Sequence, residues 1–301
     1  MAHSATQSVE RQEDTKYSIV YIALYLFCCI IYTHGNLFNP HTPNKVMASN
    51  KVYTPNKLCR EMKSHGICIS DGNSKLDGIH SFSLPSVITC NGRTALCEKV
   101  CYAQRFEKRY KNTRLAYERN LELIKTDITF WVEKMNWFMK EYAKAGNKNF
   151  RIHVAGDFYS RAYTLAWQEI ISANPDITFT VYTRAWRNIN LYNRFMTGDK
   201  DLVMDILLEM NMYTNTRIFF STDNQTGMPV IPVTYNLSDI KTAYLMQDDS
   251  DIPLYPQDII FRDKRKTVLT KITNGKTVCP PENGLPSSKK ITCQKCMVCY
   301  K

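Results

Sequence analysis

No feature of this sequence marks it for secretion or for a life spent wholly in a bilayer. The apolar segment Tyr17–Tyr32, YSIVYIALYLFCCIIY, carries no charge, yet it falls short of the roughly 20 residues that cross a membrane comfortably. No small-residue cleavage site follows it. The stretch before it holds Glu10, Glu13 and Asp14 against Arg11 and Lys16, where a signal peptide needs a positive flank. A single N-terminal anchor, a core helix and an upstream extension that is not natively translated all fit, the last with Met47 as a later start. Membrane contact is expected only if residues 17–32 belong to the working protein.

Cysteine is missing from 102 to 278, and that gap excludes an evenly spread disulfide framework of the kind that staples small secreted domains. The eleven cysteines are grouped instead. Cys28 and Cys29 lie in the apolar run, while Cys59 and Cys68 stand alone. Cys90, Cys97 and Cys101 form one cluster, and Cys279, Cys293, Cys296 and Cys299 another. Thiols two or three residues apart pair poorly with each other but converge well on a metal. A reduced cytosol is the expected compartment.

Acid is also scarce: 28 Asp and Glu stand against 39 Lys and Arg, a net charge of +11 that favours an anionic substrate or nucleic acid as partner. The densest basic stretch runs from Arg105 to Arg119, where six cations face only Glu107 and Glu118. A solvated helix face and a nucleic-acid groove are both consistent with it. With 44% hydrophobic and 22% charged residues, neither wholesale disorder nor a polytopic membrane protein is expected.

The middle of the chain alternates strand and helix patterns. HSFSL (80–84) reads as a first strand, followed by helices over 114–124 and 128–142. The second helix carries Ile128, Trp131, Val132, Met135, Phe138, Met139 and Tyr142 on one stripe, with Asp127 to cap it and Gly146 to end it. FRIHVA (150–155) is the second strand, and a helix with Tyr163, Ala166, Trp167, Ile170 and Ile171 follows. Strands at 178–182, 217–221 and 242–246 and a helix at 199–210 complete the pattern. The four tryptophans read as core or packing residues. Strand–helix alternation implies parallel strands joined by right-handed crossovers. The predicted fold is therefore α/β, an incomplete parallel β/α barrel over 47–250. An N-terminal extension (1–46) precedes it, and a small cysteine-rich hairpin and knuckle (251–301) presents Cys279 after the turn Asn274-Gly275.

In such folds ligands gather at the carboxyl ends of the strands. That rule selects the loop Cys90 to Cys101, the turn Gly156-Asp157-Phe158-Tyr159-Ser160, Thr183-Arg184 and Thr222-Asp223. The tail spacing Cys-x13-Cys-x2-Cys-x2-Cys closes either a tetrahedral zinc site or a four-iron cluster; Pro280 after Cys279 and the close Cys-x2-Cys repeats lean towards iron. The upstream Cys-x6-Cys-x3-Cys supplies three sulfurs, so it leaves one metal position open unless Cys68 or a tail cysteine completes it. His153 is expected on the same strand face as Arg151, where it lines the barrel interior or sits as a satisfied core histidine. Asp157 reads as a ligand-facing acid or a helix cap, and Arg184 as a bidentate anion clamp or half of an ion pair.

The stretches GNSKLDGIHSFSLPSVITC, CEKVCYA, YERNLELIKTD, RIHVAGDFYS with the following YTLAWQEI, FTVYTR and the cysteine-rich tail resemble the phage and plasmid family called gene product 88. The layout is also similar to that of radical S-adenosylmethionine enzymes. That second likeness implies a radical-SAM-like iron–sulfur enzyme of phage or mobile-element type, acting in the host cytoplasm on a nucleotide, nucleic acid or peptide. It implies that Cys90, Cys97 and Cys101 hold a [4Fe–4S] cluster, that Gly156, Asp157 and Ser160 meet S-adenosylmethionine, and that Asp157, His153 and Arg184 take part in the chemistry. The tail cysteines then correspond to an auxiliary cluster. The spacing usual there is Cys-x3-Cys-x2-Cys, from which this chain departs. The rival expectations are a non-enzymatic, zinc-stabilised nucleic-acid-binding protein and a membrane-tethered accessory factor.

Overall fold

The apolar stripe of the second long helix fixes where the core sits. The computed structural model describes residues 54–188, 203–229, 231–232, 235–248, 250–262, 278–280 and 291–301. The expected anchor Tyr17–Tyr32 and most of the hairpin around Asn274-Gly275 lie outside them. Among the described residues no helix is long and apolar enough to cross a membrane.

In chain order the elements are α1 (Pro55–Ser64), β1 (Ile69–Ser70), β2 (His80–Phe82), α2 (Ala95–Val100), α3 (Tyr102–Arg109), α4 (Lys111–Thr126), α5 (Ile128–Lys144) and β3 (Asn149–Ile152). There follow α6 (Arg161–Ser172), β4 (Thr178–Thr183), α7 (Met204–Asn211), β5 (Thr216–Thr222), β6 (Lys241–Met246), β7 (Ile259–Arg262) and the one-turn α8 (Cys293–Cys296). Asp127 caps α5, its carboxylate accepting from the Phe130 N–H at 2.9 Å, and Gly146 ends it at φ +84°. Trp131, Met135, Phe138, Met139 and Tyr142 of α5 are buried, at about 1.5–3 kcal/mol each relative to exposure.

The seven strands form one sheet in the order β1 to β7, antiparallel only between β1 and β2. Consecutive parallel neighbours joined by crossovers of one hand place the crossover helices on a single face. Accordingly Phe82, Phe150, Ile152, Phe179, Val181, Ile218 and Phe220 point to the same core as α5, α6 and α7. The residues between them face the other way: Tyr182, Phe219, Ala243, Ile259 and Phe261 pack with Cys279 and Cys299. A parallel sheet needs cover on both faces, and the cysteine-rich tail supplies part of the second.

The α/β class and the mostly parallel sheet are as the sequence predicts. The described strands form an open array with β1 and β7 at its edges, and no pairing among them closes a barrel. β2 stops two residues before the expected Leu84, where the Ser83 hydroxyl accepts from the Val154 and Ala155 N–H groups and the Leu84 N–H donates to Ala155 O. β7 lies within the segment assigned to the tail, and Val278 bridges to Ile260 beside it.

Candidate functional site

Because β2 to β7 are parallel, their carboxyl ends share one rim, and the segment carrying Cys90, Cys97 and Cys101 lies along it. The expected loop is largely helical. Thr94 caps α2, accepting from the Cys97 N–H at 3.0 Å, and the Cys101 sulfur caps α3, accepting from the Gln104 N–H at 3.4 Å. Three successive strand ends pin this segment. Asn91 donates to Tyr159 O after β3 at 2.9 Å. Arg187, after β4, donates to Gly92 O at 2.9 Å. Thr94 donates to the Asp223 carboxylate after β5 at 2.6 Å, and the Leu96 N–H reaches the Gln225 side chain at 3.3 Å.

Two glycines permit the docking. A Cβ on Gly92 would lie 1.7 Å from Arg184 O. At Gly156, in the left-handed region at φ +81°, a Cβ would meet Leu84 Cβ at 2.7 Å and Thr89 Oγ1 at 2.8 Å. No L side chain fits either gap.

The predicted acids and cations of the rim come together, though they are largely engaged with one another. Asp157 is buried; it accepts from Thr183 Oγ1 at 2.6 Å, the Arg184 N–H at 2.8 Å and the Phe158 N–H at 2.8 Å. Burial raises its pKa, and these three donors pull the other way. It does not cap α6. Ser160 does, its hydroxyl accepting from the Tyr163 N–H. The Arg184 guanidinium lies 2.8 Å from the Asp223 carboxylate, both side chains at or below 7% exposure, which is a buried ion pair and no surface contact.

His153 departs from its expected face. β3 ends at Ile152 and His153 takes φ +59°, so strand alternation stops one residue early. Its ring turns to the helix side, with Nε2 2.8 Å from the Tyr163 hydroxyl and edge-on packing to Phe158 and Trp167. Burial, reinforced by Arg151, pushes its pKa down to about 3. It is a neutral core histidine, away from the face Arg151 occupies.

The three mouth thiols are half-buried and free and close enough to influence one another. Burial, then the Asp157 carboxylate, pushes Cys90 up to about 12, and charges on Cys97 and Cys101 add to the effect. Burial also raises Cys97, while the neighbouring Arg184 favours its thiolate. Cys68 sits apart, its thiol facing Arg119 and Lys63.

The tail thiols form the second group. Cys279, Cys293, Cys296 and Cys299 line one small cavity of about 20 Å³ with Ile259, Pro280, Met297, Val298 and Tyr300. The Tyr182 hydroxyl of β4 donates to the Cys299 sulfur at 2.8 Å and Thr180 to Cys299 O at 3.2 Å, tying the tail to the sheet. As the side chains stand, no three His, Cys, Asp or Glu among the described residues form a group able to hold a metal ion.

The family model for gene product 88 matches residues 54–301, a span that contains the rim, the sheet and both cysteine groups. The chain belongs to the gene product 88 family. Two relatives are the Gene 88 proteins of Mycobacterium phage L5 and Mycobacterium phage D29, 38% and 36% identical over 121 residues. That stretch is 38% of this chain and 51% and 50% of theirs, so the chain spans about half the length of these relatives. No solved structure matches it. Within this gene product 88 domain, sequence reasoning missed Thr94, Gly92 and Tyr182. Thr94 carried a signal, since a threonine directly before a helix-forming run is the residue type preferred as an N-cap. Gly92 and Tyr182 depend on contacts with distant strands and carried none.

Proposed function

We propose that this gene product 88 protein is an iron–sulfur protein with two thiolate-bound centres, one at the strand-end mouth and one under the tail. The observation that carries the proposal is the pinning of the segment that bears Cys90, Cys97 and Cys101, through Asn91, Gly92 and Thr94, to three strand ends beside the buried Arg184–Asp223 pair. Donor chemistry supports the fit. Each group consists of cysteines, three at the mouth and four in the tail, and soft sulfur ligands suit iron–sulfur clusters. Asp157 is committed to three protein donors, and His153 is turned into the core. Neither of these two is then disposed to serve as a fourth ligand, and a three-thiolate centre leaves a position that suits a substrate or S-adenosylmethionine.

Cys90, Cys97 and Cys101 would hold the mouth [4Fe–4S] cluster; Cys279, Cys293, Cys296 and Cys299 would hold the tail centre. When bound, such a cluster supplies electron transfer, and the protein supplies binding, orientation and exclusion of water. Gly156 keeps the backbone close to the mouth, Ser160 holds the start of α6, and Arg184 provides the positive charge that favours the Cys97 thiolate. In this reading the chain is an enzyme of radical-SAM-like type acting on an anionic substrate.

One observation favours zinc for the tail alone: four sulfurs around a small apolar cavity form a closed set with no position for substrate, as structural zinc sites do. Full-length protein purified without oxygen distinguishes the cases. Brown protein with iron and acid-labile sulfide supports two clusters, and iron at the mouth with zinc in the tail supports the mixed arrangement. Colourless protein with zinc alone refutes the iron–sulfur proposal and leaves a zinc-stabilised binding protein.

A further inference from the structure

The basic stretch after the mouth cysteines has a structure of its own. Cys101 caps α3, and Tyr102 and Phe106 lie one turn apart on that helix, with Tyr110 as its C-cap residue. All three are exposed, by 51%, 54% and 44%. Three aromatic rings left in water along one short helix and its cap are unusual for a surface with no partner. Tyr102 is fixed, its hydroxyl donating to Val154 O at 2.5 Å. Phe106 and Tyr110 lie 5.6 Å apart at a 32° tilt.

The charge around these rings is of one sign. Arg105, Lys108, Arg109, Lys111 and Arg114 are exposed beside them, and the Arg109 guanidinium sits 5.5 Å over the Tyr110 ring. Of the acids in the stretch, Glu107 turns inward to accept from the Ser86 N–H at 3.0 Å, and Glu118 pairs with Arg114 at 3.6 Å. Apart from Arg114, the cations of the outward surface have, among the described residues, no acid of the stretch against them.

We propose that the α3 face is a binding strip for single-stranded nucleic acid, with bases stacking on Phe106 and Tyr110 and phosphates meeting Arg105, Lys108, Arg109 and Lys111. Stacking needs an unpaired base, whose ring faces are free, and alternating rings and cations are the means by which such strands are held without regard to sequence. A membrane surface fits less well, because interfacial helices bury a continuous apolar face, and the two turns of α3 with its C-cap offer only three rings with cations beside them. The strip begins at the residue that caps α3, so it leads a strand towards the mouth. In that respect it rests on the iron–sulfur reading and names its substrate class; the binding itself does not need a metal.

The test is fluorescence anisotropy of a labelled oligothymidylate and a labelled oligouridylate with the full-length protein over a range of salt concentrations. Binding should weaken with salt at a slope of about −0.7 for each phosphate contact. Phe106→Ala with Tyr110→Ala should lower affinity by about thirtyfold or more, from about 1–3 kcal/mol per stacked base, and leave the salt slope unchanged. Arg105→Gln with Arg109→Gln should reduce the slope by about 1.4. Both pairs are on the surface, so melting temperature and iron content should match the parent. Four outcomes overturn the strip: no binding, parental affinity in the aromatic variant, duplex bound as tightly as single strands, or vesicles of phosphatidylserine bound in preference to either oligonucleotide. None of these alters the metal content, so failure of the strip and failure of the iron–sulfur reading are separately visible.

Discussion

Gly92→Ala is the sharpest perturbation of the rim, because its cost is steric alone. The added Cβ would lie 1.7 Å from Arg184 O and 2.5 Å from Arg184 C, backbone atoms that cannot rotate away. Ordinary contact begins near 3.4 Å, so the segment has to retreat by about half that distance. Such a shift breaks the Arg187–Gly92 O bond and draws Thr94 from Asp223. Each of these bonds has a charged partner, the Arg187 guanidinium or the Asp223 carboxylate, and contributes about 1.5–3 kcal/mol, with overpacking adding about 1–3. The expected loss is on the order of 4–9 kcal/mol. Gly66→Ala is the control: φ is +81° and no atom lies within 4 Å, so it carries only left-handed strain of about 1–2 kcal/mol. Equilibrium unfolding in urea measures both, and hydrogen exchange localises the change to 90–101 and the ends of β4 and β5. A Gly92→Ala loss no larger than that of Gly66→Ala would refute the docking of the cysteine segment on the rim.

Asp223→Ala should destabilise by about 3–5 kcal/mol, since it leaves the Arg184 guanidinium buried without its counter-charge; Arg184→Met combined with Asp223→Leu should cost less than the single change, as urea midpoints can show. His153 sets an acid limit. Its folded pKa, about 3, lies below its ordinary value of 6.5, so the unfolded chain takes up the proton first. Stability is full above 6.5 and falls as pH drops towards 3, by up to about 1.4 kcal/mol per unit from this group. His80, also lowered by burial, acts in the same direction. His153→Asn, a residue that tolerates the left-handed backbone, should flatten the pH profile of unfolding; an unchanged slope would remove His153 as its source.

Periodicity was enough to read β2 to β6 and the α5 stripe, because local hydrophobic spacing is what buries one face of each element, whereas the two-residue β1 and the edge strand β7 were not read. The grouping of the strand-end residues followed from parallel order alone. What the chain did not disclose depends on single backbone angles and on long-range contacts. The left-handed turn at His153 reverses its side chain relative to Arg151, which strand alternation cannot anticipate. Asp157 and Arg184 sit where expected at the rim, yet their partners, Thr183 and Asp223, are chosen by the packing of neighbouring strand ends. Helices α2 and α3 within the cysteine segment were hidden by its metal-loop spacing. The covering of Tyr182 and Phe219 by the tail is invisible without the sheet's second face.

Metal analysis of anaerobically purified protein with Cys97→Ala and Cys296→Ala tests the central claim most directly. Two thiolate centres predict that Cys97→Ala loses the mouth iron and its share of the visible absorbance while the tail metal stays, and that Cys296→Ala does the reverse. Parental metal content in both variants, or loss of all metal in each, would contradict it.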